Sequence, residues 1–303
     1  MEFITIIGKA WGTILQALIA RIYFIIRIIL PSPRKCIEGD VVLITGSGHG
    51  LGRQLAILSA NLGATVVLWD IQKSTCESVA KEIEANGGKA YAYECDVSDL
   101  QKVEQQAKKV QEEVGDVTIL INNAGVIHVD PLLNLNSQNI KRTFEVNVFS
   151  HFWTIQQFLP RMLERKKGHI VAISSAAGVI GSPYLTDYAA SKHGVIGLMS
   201  SLREELFVSD KEQCIRLTTI CPVLFDSGFV KRPHSRFPTI LPVLTVNKVA
   251  QGALDGILRE KNIVVLPSWV GYFFSWSRIF PDSIFLSIQR FLEHYPLPTI
   301  KTN

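Results

Sequence analysis

The chain has 303 residues, 47% of them hydrophobic and 19% charged, with a formal net charge of +4. So small a basic surplus, without a long basic run, argues against nucleic acid as a partner. The five cysteines (Cys36, Cys76, Cys95, Cys214, Cys221) are odd in number and scattered, and the seven histidines form no metal-spaced cluster, which argues against a disulfide framework and a metal site.

Mean hydropathy is +0.21, apolar for a soluble enzyme, and the excess sits at the two ends. Residues 3–30 are almost wholly apolar apart from Lys9, Arg21 and Arg27. A helix of that length spans about 42 Å. Lys9, Thr13, Gln16 and Arg27 fall near one side of it, a narrow polar stripe that suits a helix lying in a membrane interface. A single membrane span stays open beside that reading. Pro31 and Pro33 stop the helix, and Arg34 and Lys35 follow, placed to meet anionic headgroups. Residues 1–36 are therefore read as a membrane-anchoring segment with a basic linker.

Val41 to Ile44 reads as a buried parallel strand that breaks into Thr45-Gly46-Ser47-Gly48-His49-Gly50-Leu51-Gly52 before a helical pattern. Strand, glycine turn and helix present backbone N–H groups to a phosphate. Gly46 allows the tight turn, Gly50 lets a pyrophosphate approach, and Gly52 lets helix and strand pack closely. The next strand ends at Asp70, whose carboxylate can accept from both adenosine-ribose hydroxyls and would repel a 2′-phosphate. That predicts NAD over NADP, with Lys73 softening the preference. A third strand, Ala90 to Cys95, is closed by Asp96, which either contacts adenine or caps the helix expected to begin at Ser98.

Val117 to Ile121 is the fourth strand and runs into Asn122-Asn123-Ala124-Gly125. A long helix is expected around 137–163, a fifth strand over His169–Ser174, a helix over Tyr188–Phe207 and a sixth strand over Ile215–Ile220. This alternation predicts an α/β fold of Rossmann type, a doubly wound parallel sheet in one catalytic domain over 37–268.

Tyr188 and Lys192 are four apart in YAASK and share one helix face. A tyrosine of ordinary pKa about 10 is a poor base near neutrality, and a nearby ammonium is expected to lower that value. The pair can then exchange a proton with a substrate alcohol. Ser175, at the mouth of the fifth strand, can hold the substrate oxygen beside the tyrosine. Asn147, unfavourable inside a helix without a role, can hold a water that links to the lysine. Taken singly, Ser175 and Asn147 are ordinary cap or core groups; the four together, behind the glycine turn, form a catalytic set.

On these residues the chain resembles the short-chain dehydrogenase/reductase family over about 37–265. The resemblance implies Tyr188 as acid/base, Lys192 as holder of the nicotinamide ribose, Ser175 as holder of the substrate oxygen and Asn147 in the proton relay. It places Asn123 beside the cofactor and matches Ser227 to the threonine that bonds the nicotinamide amide. Cys221-Pro222-Val223 departs from the family's usual Pro-Gly. PSPRK, LITGSGHGLGR, FEVNVFSHFW and CPVLFDSGF look like the membrane- and lipid-droplet-associated branch, which includes 17-beta-hydroxysteroid dehydrogenases of types eleven and thirteen and epidermal retinol dehydrogenases. The implied activity is NAD-dependent oxidation of a lipophilic alcohol, retinol-like or steroid-like, at the endoplasmic reticulum membrane and lipid droplet surface with the catalytic domain facing the cytosol. The alternative is a non-enzymatic scaffold that retains the fold.

Residues 224–246, rich in proline, phenylalanine and leucine, are expected to form a lid over a greasy substrate. The stretch 269–303 carries Trp269, Tyr272 and Trp276, which suit a membrane-facing belt, with packing against the lid as the other reading. The resemblance implies a homodimer through the helices around 137–163 and 188–206, which fits the general preference for two-fold assemblies, with Leu198, Met199 and Leu202 supplying apolar area.

Overall fold

Seven short apolar runs become seven parallel strands. The computed structural model describes residues 30–277 and 282–298, together with residues 11, 15, 16 and 19. The first strand β1 (Val41–Thr45) leads through the glycine turn into α1 (Gly50–Ala60) and returns as β2 (Thr65–Asp70). Then come α2 (Lys73–Ala85), β3 (Lys89–Glu94), α3 (Leu100–Glu113) and β4 (Ile119–Asn122). The second half runs α4 (Ser137–Phe144), a π-helical turn (Glu145–Phe149), α5 (Ser150–Glu164), β5 (Gly168–Ile173), α6 (Thr186–Val208) and β6 (Ile215–Pro222). Short strands β7 (Phe225–Asp226), β8 (Pro233–Ser235) and β9 (Leu244–Thr245) lead to α7 (Val246–Leu258) and β10 (Ile263–Leu266). The C-terminal part holds α8 (Ser268–Ser277), α9 (Asp282–Leu292) and β11 (His294–Pro296).

The sheet order is β10-β6-β5-β4-β1-β2-β3. The chain therefore winds outward in both directions from β1 and β4, and a crevice opens at the carboxyl ends of that pair. Register follows the apolar alternation: Val42 pairs with Val66, Ile44 with Leu68, and Leu43 with Leu120. Ile44 and Leu68 then face one side, where Leu55, Val249 and Ile257 cover them. Leu43, Val67, Trp69 and Leu120 face the other, against Met162, Val195 and Met199. Each fully buried Leu or Ile contributes about 1.5–3 kcal/mol, so both faces anchor the frame that holds the strand ends.

Several expectations are corrected. The helix expected at Ser98 begins one residue later in its cap: Asp99 accepts from Gln101 and Lys102 main-chain N–H groups, while Ser98 is drawn to Asp96. The long helix around 137–163 is interrupted by the π turn that carries Asn147. Met199 and Leu202 do not supply a dimer face; they are buried in the core beneath the sheet, and Leu198 is partly buried against the same cluster. The 3.6-residue period carries these positions toward the strands. The expected anchor helix over residues 3–30 lies outside the described residues but for a few positions, and no helix among the described residues is long and apolar enough to cross a membrane. From Cys36 onward the chain forms one compact unit.

The two sides of α6 give a direct check on this packing. Met199→Ala, at 1% exposure, should cost about 2–5 kcal/mol in urea unfolding, and Leu198→Ala clearly less. Equal losses at the two positions would contradict the assigned face.

Candidate active site

The site is built at the ends of β1 and β4. Thr45 closes β1, and its Oγ1 accepts from the main-chain N–H groups of Asn123 and Ala124, each at 3.0 Å. Asn123 answers from β4: its Nδ2 donates to the carbonyls of Thr45 at 2.9 Å and Gly46 at 3.0 Å. This clasp fixes the glycine turn. Gly46 has φ +63, a conformation that favours glycine. At Gly52 an added Cβ would stand 2.2 Å from the Gly46 carbonyl and 2.5 Å from Asn123 Nδ2. His49 precedes α1 without a side-chain cap, so the first-turn N–H groups have no acceptor from it. Uncapped N–H groups beside glycines that line a cavity fit a pyrophosphate.

Asp70 ends β2 at the same rim. Its Oδ2 accepts from Gly48 N at 2.9 Å and its Oδ1 from Gln72 N at 3.0 Å. The carboxylate is thereby fixed and still lines the cavity. Lys73 pairs with Glu77 at 3.6 Å on the exposed side of α2. Asp96 lies two residues past β3 and does not cap the next helix, whose cap is Asp99. Asp96 lines the cavity, and its side chain accepts from Ser98 Oγ at 2.7 Å and faces Arg142 Nη2 at 3.2 Å. Burial raises its carboxyl pKa, but the Ser98 hydrogen bonds and the Arg142 cation outweigh that and hold it below the usual value.

A cavity of about 410 Å³ joins this rim to the rest of the expected set. Gly46, Gly50, Leu51, Asn123, Ser175, Tyr188, Lys192 and Ser227 all line it. Ser47, Gly48 and Gly52 do not. Ser47 is turned into the core, with its Oγ donating to the Trp69 carbonyl at 3.2 Å, and Gly48 and Gly52 shape the turn from behind. Ser227 approaches the turn from just after β7: its Cβ lies 3.6 Å from where a Cβ on Gly50 would stand.

Tyr188 and Lys192 lie in α6 and are both buried. The Lys192 ammonium donates to the Ile173 carbonyl at 2.9 Å and stands 5.7 Å from the Tyr188 ring centre. Burial pushes the Tyr188 phenol up to about 12, while its hydrogen bond with Ser175 pulls the other way. The expected lowering by the lysine is therefore corrected. The same burial brings Lys192 down to about 8, and the ammonium sits over the ring rather than at the phenol oxygen.

Asn147 is fully buried in the π turn. Its Oδ1 accepts from Val126 N at 2.8 Å, and its Nδ2 donates to Val126 O at 3.0 Å and Ser191 Oγ at 3.0 Å. Both amide hydrogens are engaged, so any water can use only the remaining lone pair of Oδ1. Asn147 thus ties the loop after β4 to α6. Ser175 lies two residues past β5 and caps the short turn Ala176–Gly178; its Oγ accepts from Ala177 N at 3.1 Å and bonds Tyr188. His193, beside the lysine, bonds the Ala189 carbonyl at 2.9 Å.

One supporting group escaped the sequence reading. Asp187 precedes Tyr188, is buried, accepts from Tyr188 N at 2.8 Å, and takes the Thr143 hydroxyl at 2.7 Å. It pins the start of α6 to α4. An acidic residue in the first turn of a helix was the available signal. The C-terminal stretch takes its packing reading in part. Trp269, Val270, Phe273, Gln289, Leu292 and Tyr295 line the same cavity, though Trp269 keeps 43% and Tyr272 40% exposure. The packing reading therefore holds for one face of this segment, and Trp276 has its side chain outside the described residues.

A parallel sheet with a glycine turn at its switch point and a Tyr–Lys pair on the next wall defines a dinucleotide-dependent oxidoreductase site. A model of the short chain dehydrogenase family matches residues 40–236, and the chain belongs to that family. Human 17-beta-hydroxysteroid dehydrogenase 13 is 38% identical over 258 residues, 85% of each chain. Human epidermal retinol dehydrogenase 2 is 38% identical over 275 residues, 90% of this chain and 86% of its own. A 7 alpha-hydroxysteroid dehydrogenase solved with NADH and 7-oxo glycochenodeoxycholic acid superposes with a TM-score of 0.68 at 28% identity, over 76% of this chain and 93% of that one.

The contact behind the turn is the most exacting part of this geometry. Gly52→Ala should cost about 1–3 kcal/mol in stability and weaken dinucleotide binding, read by urea unfolding and by cofactor titration. Parent-like values in both measurements would show that the turn has room the structure does not.

Proposed function

We propose that the protein oxidises the hydroxyl of a lipophilic alcohol to the aldehyde or ketone with NAD. The observation that carries this reading is the single cavity shared by the glycine turn, Tyr188 with Lys192 and Ser175, and an apolar lid. NAD, when bound, accepts the hydride from the carbinol carbon. Gly46, Gly50 and Leu51 would hold its pyrophosphate, Asp70 the adenosine ribose and Ser227 the nicotinamide end. Asp70, already fixed by two main-chain N–H groups, supports NAD over NADP by repelling a 2′-phosphate. Ser175 positions the substrate oxygen beside Tyr188, and Tyr188 takes the hydroxyl proton as the hydride leaves. Lys192, held by the Ile173 carbonyl and lining the same cavity, would hold the nicotinamide ribose. Asn147 fixes the loop and helix that face each other across this point.

The lid supports a greasy substrate. Phe225, Phe229, Val230 and Leu241 line the cavity, and Phe229 lies 6.5 Å from the Tyr188 ring. The relatives named for hydroxysteroids and retinol support the same class. We place the protein on the endoplasmic reticulum membrane and lipid droplets, facing the cytosol. The apolar sequence 3–30 supports this, as do the exposed Ile284, Ile288 and Phe291 of α9. A homodimer would cover the exposed Phe149 and Phe152 beside α5, and light scattering in mild detergent should then give a dimer mass.

NADH formation by purified, lipid-supplied protein over a panel of retinoids and hydroxysteroids tests the chemistry. Activity should appear in the parent and fall at least a hundredfold in Tyr188→Phe. The pH dependence has a definite sign. Tyr188 must be deprotonated to act as base, and burial holds its pKa above neutrality, so kcat/KM for oxidation should climb as pH rises from 6 toward 9, roughly tenfold per unit while the phenol stays mostly protonated. A Tyr188→Phe protein as active as the parent would end this reading. Deleting residues 1–30 should shift the protein out of the membrane fraction of cells; a truncated protein that stays wholly membrane-bound would rule that segment out as the main anchor.

A further inference from the structure

Five non-glycine residues among those described have a left-handed main chain: Lys166, Tyr184, Asp210, Glu260 and Glu293. Four of them close helices, following α5, α6, α7 and α9 by one or two residues, where this conformation is common. Tyr184 does not. Its φ is +63, and it leads into α6, four residues before Tyr188. A tyrosine in that conformation is strained and persists only where its surroundings hold it. Its carbonyl accepts from Asp130 N at 3.1 Å, and its ring meets the Tyr295 ring at 6.1 Å. Tyr295 is itself fixed. It sits in β11 opposite His234 of β8, with the two rings 5.6 Å apart. Leu297 N donates to the Arg232 carbonyl at 2.9 Å, and Arg232 Nη1 donates to the Pro298 carbonyl at 2.8 Å, which ties the end of that strand pair. The Gln289 amide of α9 holds the same loop at the Gly181 carbonyl. From Tyr184, position passes to the site through one residue. Leu185 is buried and packs with Tyr188 and Ala189, and its carbonyl accepts from Ala189 N at 2.7 Å in the first turn of α6.

We propose that Tyr295 is a positioning residue: its ring braces Tyr184 in the left-handed conformation, and through Leu185 this fixes where α6 presents Tyr188. The inference rests on the reading of Tyr188 as acid/base and gives the C-terminal segment a part in the reaction. The other role for an aromatic ring here is a plain wall for an apolar substrate, since Tyr295 lines the cavity. The two roles separate at Tyr184, which does not line it. A glycine at that position takes a φ near +63 without strain and needs no brace. A wall lost from the cavity, by contrast, is not restored by relaxing the main chain at Tyr184.

The test compares full-length parent, Tyr295→Leu, Tyr295→Phe and the double variant Tyr184→Gly with Tyr295→Leu, each in detergent micelles with NAD. Hydrogen–deuterium exchange, read by mass spectrometry, follows the peptide over 183–190, and NADH formation follows turnover. In Tyr295→Leu, exchange in that peptide should quicken about tenfold as the loop opens locally. Its kcat should fall about tenfold, in keeping with the cost of a slightly misplaced reacting group. The dissociation constant for NAD should stay within about twofold, because the glycine turn lies on the other wall. Tyr295→Phe, which keeps the ring, should lose less than Tyr295→Leu in both readouts, and the double variant should recover much of both losses. Parent-like exchange in Tyr295→Leu overturns the proposal whatever its turnover. So does a double variant no better than Tyr295→Leu. Quickened exchange that the glycine restores, in a protein whose parent oxidises no alcohol of the panel, would defeat the proposed reaction and leave the brace standing.

Discussion

The clasp between Thr45 and Asn123 is the constraint on which the site depends. Two neighbouring parallel strands end here, and their connections leave in opposite directions. Without a cross-tie the main-chain groups at both ends would face the crevice unpaired. The Thr45 hydroxyl takes two N–H groups from the β4 end, and the Asn123 amide returns its hydrogens to two carbonyls of the β1 end. The turn then has a fixed shape before any ligand arrives. Such preorganisation lets a pyrophosphate bind without first ordering the loop.

The second wall is organised around Asn147. Its side chain bonds both the N–H and the carbonyl of Val126, as a strand neighbour would, and reaches Ser191 on α6. The π turn gives this residue the inward position. The wall so formed is buried, and burial acts on charge in two directions. It raises the Tyr188 phenol and lowers the Lys192 ammonium, each toward its neutral form. The base chemistry proposed for this tyrosine would therefore lean on every nearby group that favours the phenolate. Ser175 is one of them, through its hydrogen bond, and a cationic nicotinamide ring would add to it.

Much of this was legible in the sequence because it is local. The short apolar strands, the glycines after Val41–Thr45, Asp70 at a strand end and the Tyr188–Lys192 spacing all follow from near-neighbour rules. What was not legible depended on tertiary partners. Met199 and Leu202 looked free for a dimer because a helix's apolar stripe does not say what covers it. Ser47 and Asp96 sit at positions a ligand could use, but their side chains are taken by Trp69 and by Ser98 with Arg142. The sign of the Tyr188 shift was missed because proximity to a cation is visible in sequence and depth of burial is not. The C-terminal aromatics left a lipid-facing belt and packing against the lid both open, and only the fold shows that Trp269, Val270 and Phe273 line the cavity.

The central claim is that the cavity passes a hydride from a carbinol carbon to the dinucleotide while Tyr188 receives the proton. Label transfer tests it most directly. A lipophilic alcohol deuterated at its carbinol carbon is incubated with the enzyme and NAD, and the reduced cofactor is isolated for mass spectrometry. The account predicts one deuterium in the NADH, delivered without exchange with water. Deuterium released to solvent, or oxidised product formed with unlabelled NADH, would contradict it.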